Sequence, residues 1–260
     1  MPTSRYKIDA VARGLEILAL FTVERPSMNL SEIVKATQLS KSTAFRMVST
    51  LELLGYLERD PETRQYHPGL KVLQLGFTAL NSMDVAQIGQ VYLKSLSEAC
   101  GETTNMAIRD GAEIVYVARN TTWQIIGVNV QRGSRAPAYC TSMGKAQLID
   151  LSQKELLDLL GEGPYPKMAP NTIIYLKDML LELEKIRQQG YAINDEELAI
   201  GLRSVAAPIR SNRGKMVAAI NISVPGSRIS RQEMEEKLAP KVVETAHLIS
   251  LSLGAPAYQG

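Results

Sequence analysis

The sequence predicts an α+β fold in two parts, and three observations carry that prediction. Apolar residues recur at helical spacing from residue 6 to residue 55. A short charged hairpin pattern follows, and beyond residue 104 β-rich runs alternate with helical ones. Strands interleaved with helices after an all-helical start indicate a separate α/β unit. With 260 residues, 45% of them hydrophobic, the chain has apolar material for one or two cores.

The elements follow in order. Ile8, Val11, Leu15 and Leu18 share one helical face, which predicts a first helix over 6–21 ended by Arg25-Pro26. A short second helix follows Asn29, with Leu30, Ile33 and Val34 inward. Ser40 suits the N-cap of a third helix, because its hydroxyl can accept from an otherwise unpaired amide. That helix is expected to bury Ala44, Met47 or Val48, Leu51 and Leu54, and to stop at Gly55. Its outer face presents Lys41, Ser42, Phe45, Arg46 and Ser49, with Thr43 in the first turn. "YLER" and "RQYHP" flank the turn sequence Asp60-Pro61-Glu62-Thr63, which reads as a hairpin. Two short helices joined by about four residues and then a hairpin form the pattern of a winged helix-turn-helix, with Val34, Leu39 and Ala44 inward at the turn. An ordinary helical hairpin with a solvated face is the alternative, and the adjoining hairpin argues against it.

Residues 70–101 read as helical with a weak point at Asn81-Ser82, and Val85, Ile88, Tyr92, Leu93 and Leu96 line one side. The expected organisation is a winged helix-turn-helix over 5–69, a linker helix over 70–83 and an α/β unit over 84–260. Within the last, "TNMAIRD", "EIVYVARN" and "WQIIGVNV" read as strands separated by Asp110-Gly111 and Asn120-Thr121-Thr122. Helices are expected near 143–150, 153–160 and 172–189. Strands follow in "YAINDE", "RSVAAPIR" and "MVAAINISVP", and a last helix over about 230–253.

Composition excludes more than it selects. Net charge is +2, and residues 1–80 hold ten Lys/Arg against eight Asp/Glu, so no basic tail marks a nucleic-acid binder. Any such function must rest on geometry. No apolar stretch is long enough to span a membrane. "MPTSRYKIDAVARGLEILALF" lacks the apolar run and cleavage site of a signal peptide, so a cytoplasmic location is expected. Cys100 and Cys140 form no CxxC pair and read as reduced thiols. With His67 and His247 the only histidines, a Cys/His zinc site is not expected, nor any cofactor.

Three stretches taken together, "LSKSTAFRMVSTLELLGYLERD", "RAPAYCTSMGKAQL" and "DEELAIGLRSVAAPI", resemble the IclR family of bacterial transcription regulators over roughly residues 5–253. One departure is Gln38, where the family usually has Gly before the Leu of the turn. The resemblance implies a C-terminal GAF-like domain that binds a small effector. It also implies a homodimer, paired into a dimer of dimers on palindromic double-stranded operator DNA. Relatives similar in "AYCTSMGK" and "GLRS" often govern aromatic-acid catabolism, which implies a small carboxylic acid such as 4-hydroxybenzoate, protocatechuate or β-ketoadipate as effector, an aromatic acid before a keto acid.

A recognition helix needs short donors and acceptors near the end that enters the major groove. Ser42 and Thr43 can meet phosphates or bases, Arg46 has a fork suited to guanine O6 and N7, and Lys41 suits a phosphate. Arg59, Arg64 and Gln65 of the hairpin would reach backbone or minor groove. In the second unit, Ser142, Met143 and Gly144 lie at a helix start whose free amides and dipole suit a carboxylate. Carrying the family's pocket over by position adds Ile125 and Val128 as apolar wall. Asn194, Ser204, Asn221 and Ser223 are then its polar groups. Better-known relatives have Asp, Cys and Ser in place of Asn194, Ser204 and Asn221, which implies a different polar end to the ligand. The rival reading is a serine acyl-transfer enzyme using Ser142 and Lys145, which match Ser-x-x-Lys. The chain has no Lys-Thr-Gly to complete it. Gly144-Lys145 is no phosphate loop either, since Tyr139 and Ala146 occupy positions that need Gly and Ser or Thr.

Overall fold

The computed structural model describes residues 7–22, 25–81, 84–122 and 130–255. The chain divides into two compact units, Met1–Ser82 and Met83–Gly260.

The first unit holds helices α1 (Asp9–Ala19), α2 (Leu30–Thr37) and α3 (Lys41–Leu53), strands β1 (Leu57–Arg59) and β2 (Tyr66–Pro68), and helix α4 (Leu70–Asn81). Asn29 and Glu32 cap α2 reciprocally, and Ser40 caps α3 by accepting from the Thr43 N–H at 3.2 Å. β1 and β2 pair antiparallel, and Met28 adds a bridge to Tyr66. Asp60 closes the hairpin by accepting from the Glu62 and Thr63 amides, and those bonds hold its carboxyl below the usual range. The core is Ile17, Met28, Ile33, Val48, Leu57 and Tyr66, with Leu39, Met47 and Leu51 packed against it.

Two expectations need correction here, and one departure finds its place. α1 is shorter than 6–21, and its Ile8, Val11 and Leu15 stripe lies exposed; only Ile17, near its C-terminal end, is fully buried. Leu54 is exposed rather than buried, because the amides of Gly55 and Tyr56 turn back to Glu52 and Leu51 and swing the chain out of the helix. Gln38 takes the left-handed conformation (φ 56°) that closes α2, the place where a glycine would be free of strain.

The second unit is a six-stranded antiparallel sheet in the order β5-β4-β3-β8-β7-β6. Its strands are β3 (Thr103–Asp110), β4 (Glu113–Asn120), β5 (Arg135–Pro137), β6 (Ala192–Asp195), β7 (Leu202–Arg210) and β8 (Met216–Pro225). On one face lies α5 (Asp84–Cys100), where Thr104 donates to the Leu93 carbonyl and Gly89 leaves room for the Met106 side chain. The last helix also packs on β7 and on α5. The other face carries α6 (Ser142–Leu148), backed by α7 (Gln153–Leu160) and α8 (Leu176–Gln189). Every residue of α6 is buried, and a Cβ at Gly144 would collide with the Ala138 backbone.

The segment expected as strand over 123–130 lies outside the described residues except for Val130, which is not in a strand. β5 and the 3-10 turn Ala138–Cys140 that follows it carried no strong pattern in sequence. α8 starts at Leu176 rather than 172, because the Thr172 hydroxyl is bound to the Glu197 carbonyl at 2.7 Å and accepts from the Ala169 amide. The last helical stretch is interrupted: α9 (Arg231–Glu233), one π turn over Met234–Leu238, then α10 (Ala239–Ser252). Pro240, which has no N–H to donate, sits in the first turn of α10, just after the π turn.

Candidate functional site

Two sets of polar residues stand out, one in each unit. In the first, the α3 N-terminus and the hairpin present cations to solvent. Lys41, Ser42 and Arg46 are exposed and Thr43 half-buried. Ser42 and Thr43 lie 3.5 and 2.8 Å from the Ser40 hydroxyl, which fixes the first turn. Lys41, Arg46 and Arg64 have no side-chain partner among the described residues, so their charges face solvent unspent. Arg64 sits in the left-handed region at the hairpin tip (φ 59°). The other two hairpin residues are partly committed. Arg59 stacks over the Tyr66 ring at 5.4 Å and donates from Nε to the Arg64 carbonyl, while Gln65 accepts from the Ser27 hydroxyl at 2.7 Å.

In the second unit, strand register builds a site from residues far apart in sequence. Asn194 opposes Ser204, which opposes Ser223, which opposes Thr103. One step along, Asn221 opposes Asn105, and Asn105 opposes Arg119. Directly opposed residues share a face, and this is the face that carries α6, since Ser142 and Ser204 bring their hydroxyl oxygens within 2.7 Å. Asn105 Nδ2 donates to Asn221 Oδ1 at 2.8 Å and to the Ser223 hydroxyl at 3.3 Å. Asn105 Oδ1 is buried without a partner among the described residues. A small cavity of about 30 Å³ opens beside Asn105, Ser223, Tyr116 and Arg119. Burial drives the Tyr116 hydroxyl up to about 12 despite nearby Arg119, and the same burial lowers Arg119.

The expected effector residues therefore fare differently. Ser142, Ser204, Asn221 and Ser223 lie together on one face. Asn194 faces the same way, but both its amide atoms are engaged: Nδ2 donates to the Cys140 carbonyl and Oδ1 accepts from the Glu197 amide. The helix start is less open than expected, because the Thr141 hydroxyl already accepts from the Gly144 N–H. Met143 is fully buried in the apolar core between α6 and α8. Ile125 and Val128 lie outside the described residues. Asn105 and Arg119 were missed by sequence reasoning. Each is an ordinary strand residue until register sets Asn105 between Arg119 and Asn221.

The Ser-x-x-Lys pair does not assemble as a nucleophile and base. Ser142 bonds Ser204, whereas Lys145, wholly buried, donates to Glu182 at 2.8 Å and Glu197 at 2.6 Å. Desolvation raises the Glu197 carboxyl, and Lys145 opposes that shift. Burial likewise pushes the Cys140 thiol up to about 12, with Glu197 adding to it. Cys100 and Cys140 are both free, and no group of metal-ligating side chains occurs among the described residues.

Comparison with known proteins gives this geometry a setting. The family described as bacterial transcriptional regulator IclR C-terminal matches residues 77–251, and the IclR helix-turn-helix domain matches residues 10–61. The chain is 34% identical to the Pca regulon regulatory protein of Pseudomonas putida, over 89% of this chain and 79% of that one. It is 32% identical to the HTH-type transcriptional regulator XynR of Escherichia coli strain K12, over 96% and 99%. The crystal structure of Thermotoga maritima IclR superposes with a TM-score of 0.73 at 30% identity, covering 95% of this chain and 100% of that one.

Proposed function

The chain belongs to the IclR family of bacterial transcriptional regulators, and from that premise we propose how its two units divide the work. It is a DNA-binding regulator with an effector-binding C-terminal domain. The N-terminal unit reads a palindromic operator, with Arg46 on a base edge, Lys41, Ser42 and Thr43 on phosphates or bases, and Arg59, Arg64 and Gln65 on the backbone or minor groove. The observation that carries this is the set of exposed cations without partners, Lys41, Arg46 and Arg64, at the helix start and hairpin tip. A modest net charge is no obstacle when a handful of cations face the duplex.

The protein acts as a homodimer that pairs into a dimer of dimers, because two half-sites need two recognition helices. The exposed Ile8 just before α1, Val11 and Leu15 on it, and Leu70 and Leu73 on α4 support a partner copy. Its effector is a small carboxylic acid, more specifically an aromatic one, and the likeness to the Pca regulon regulatory protein supports that branch. The ligand meets Ser142, Ser204, Asn221 and Ser223. No reaction is catalysed: the pairing of Lys145 with two carboxylates leaves Ser142 without a base. Among the described residues no helix is long and apolar enough to cross a membrane, in keeping with a cytoplasmic regulator.

Selection from a random duplex pool tests the reading. An enriched palindrome with half-sites about one helical turn (~34 Å) apart is expected. Retention of all sequences equally, abolished by moderate salt, would show non-specific binding only. Light scattering at micromolar concentration that finds only a 28.6 kDa species would remove the dimer.

A further inference from the structure

We propose that Arg119 takes the effector's carboxylate, and that Asn105 Oδ1 accepts a hydrogen bond from a hydroxyl on the same molecule. This deepens the effector-site reading above and rests on it. Strand β4 is irregular where it passes the cavity. Met106 opposes Ala118 and Ala107 opposes Tyr116, so Val117 is an extra residue, a β-bulge. Residues three apart on a regular strand point to opposite faces; the bulge brings Tyr116 and Arg119 to the same one. Both line the small cavity beside Asn105 and Ser223.

Arg119 there is half-buried and short of partners. Its Nε donates to the Thr121 hydroxyl at 2.9 Å, and among the described residues no carboxylate forms an ion pair with it. A guanidinium taken partly out of water without an anion is unfavourable, and its planar fork matches a carboxylate through two parallel bonds. Asn105 makes the second half of the case. Its Nδ2 is fully used on Asn221 and Ser223, yet its buried Oδ1 has no partner, and an unmet buried acceptor is a standing loss. Together the two groups call for one ligand bearing an anion and a hydroxyl, with Tyr116, Leu198 and Leu202 as walls. The α6 start is the weaker anion site, because Thr141 and Ser204 already occupy Gly144 N–H and the Ser142 hydroxyl.

The cavity is small, about 30 Å³. A larger acid must part its walls, and a ligand that binds only the parted state shifts the population toward it, which an effector requires.

Isothermal titration of the full chain with four probes tests this: 4-hydroxybenzoate, 4-methoxybenzoate, benzoate and 4-hydroxybenzamide. Arg119→Gln is expected to weaken 4-hydroxybenzoate and benzoate about tenfold or more and leave the amide unaffected. Asn105→Ala is expected to erase the preference for the hydroxy over the methoxy acid. Arg119→Lys should recover part of the lost affinity, and thermal melting confirms that each variant is folded. Acid affinity unchanged in Arg119→Gln but lost in Ser204→Ala overturns the Arg119 assignment and leaves the effector site standing. Wild-type protein that binds none of the four probes overturns both the assignment and the aromatic-acid reading.

Discussion

The two units handle polar side chains in opposite ways. On the first, Lys41, Arg46 and Arg64 face solvent with no protein partner. On the second, Ser142, Ser204, Asn105, Asn221, Asn194 and Lys145 are all buried and bonded to other groups of the protein. The first arrangement costs the fold nothing and leaves charge free for a phosphate backbone. The second makes the ligand compete with the protein's own hydrogen bonds. Removing a group should therefore damage binding in the first unit and folding or ligand response in the second.

The largest effect expected is at Lys145. Lys145→Met strands two carboxylates, one of them almost fully buried, and breaking a buried pair from one side costs about 3–5 kcal/mol. Thermal or urea unfolding of the C-terminal unit would show it. An unchanged midpoint would mean that Glu197 simply takes up a proton there, and the contrast between the units would shrink.

Arg46→Ala is the counterpart. It should leave the unfolding midpoint where it is and remove about 1–3 kcal/mol of discrimination between operator and random DNA. Lys41→Ala should weaken all duplexes alike and lower the salt slope by about one phosphate's worth. Gel-shift titrations at two salt concentrations separate the two, and an equal loss on both DNAs for Arg46→Ala would sink its base-reading role.

What was legible in sequence follows the same division. The helix-turn-helix and hairpin were readable because their signals are local: Ser40 at a cap, Asp60-Pro61 at a turn, cations within six residues of each other. The stripe on α1 was legible as a helix face but not as an exposed one, since periodicity reports an apolar face, not what covers it. The C-terminal site was legible only through family resemblance, and then in part. Nothing near Asn105 or Arg119 in sequence says that they will meet, because their pairing depends on strand register and on one extra residue at Val117. Asn194 came through that resemblance as a polar pocket residue, but not as one already spent on Cys140 and Glu197.

Ser204→Ala and Asn221→Ala probe the buried side more gently. Each deletes one partner of a side-chain pair, a loss of about 1–3 kcal/mol where the other partner stays buried. Effector affinity should fall by a corresponding factor while effector-free operator affinity stays put. Titration calorimetry beside gel shift reads the two separately, and a parallel fall in both would mean that the substitutions act on the fold instead.

The smallest effect returns to the first unit, at Gln38. Its left-handed φ of 56° places a side chain where a non-glycine residue is strained by about 1–2 kcal/mol. Gln38→Gly would relieve that strain but also loosen the unfolded chain, which offsets about 0.4–1 kcal/mol. The difference favours glycine by roughly 0.8 kcal/mol, near the edge of what denaturant titration resolves. Gln38 is exposed and lies before the cap of α3, outside the face that carries Arg46. Operator affinity should therefore hold while stability rises slightly. A glycine variant that is less stable would show that the glutamine side chain contributes a contact at the turn, and that the strain was overestimated. A variant equally stable but weaker on DNA would place Gln38 among the groups that hold α3 in register, and would blur the line between the surface that folds and the surface that binds.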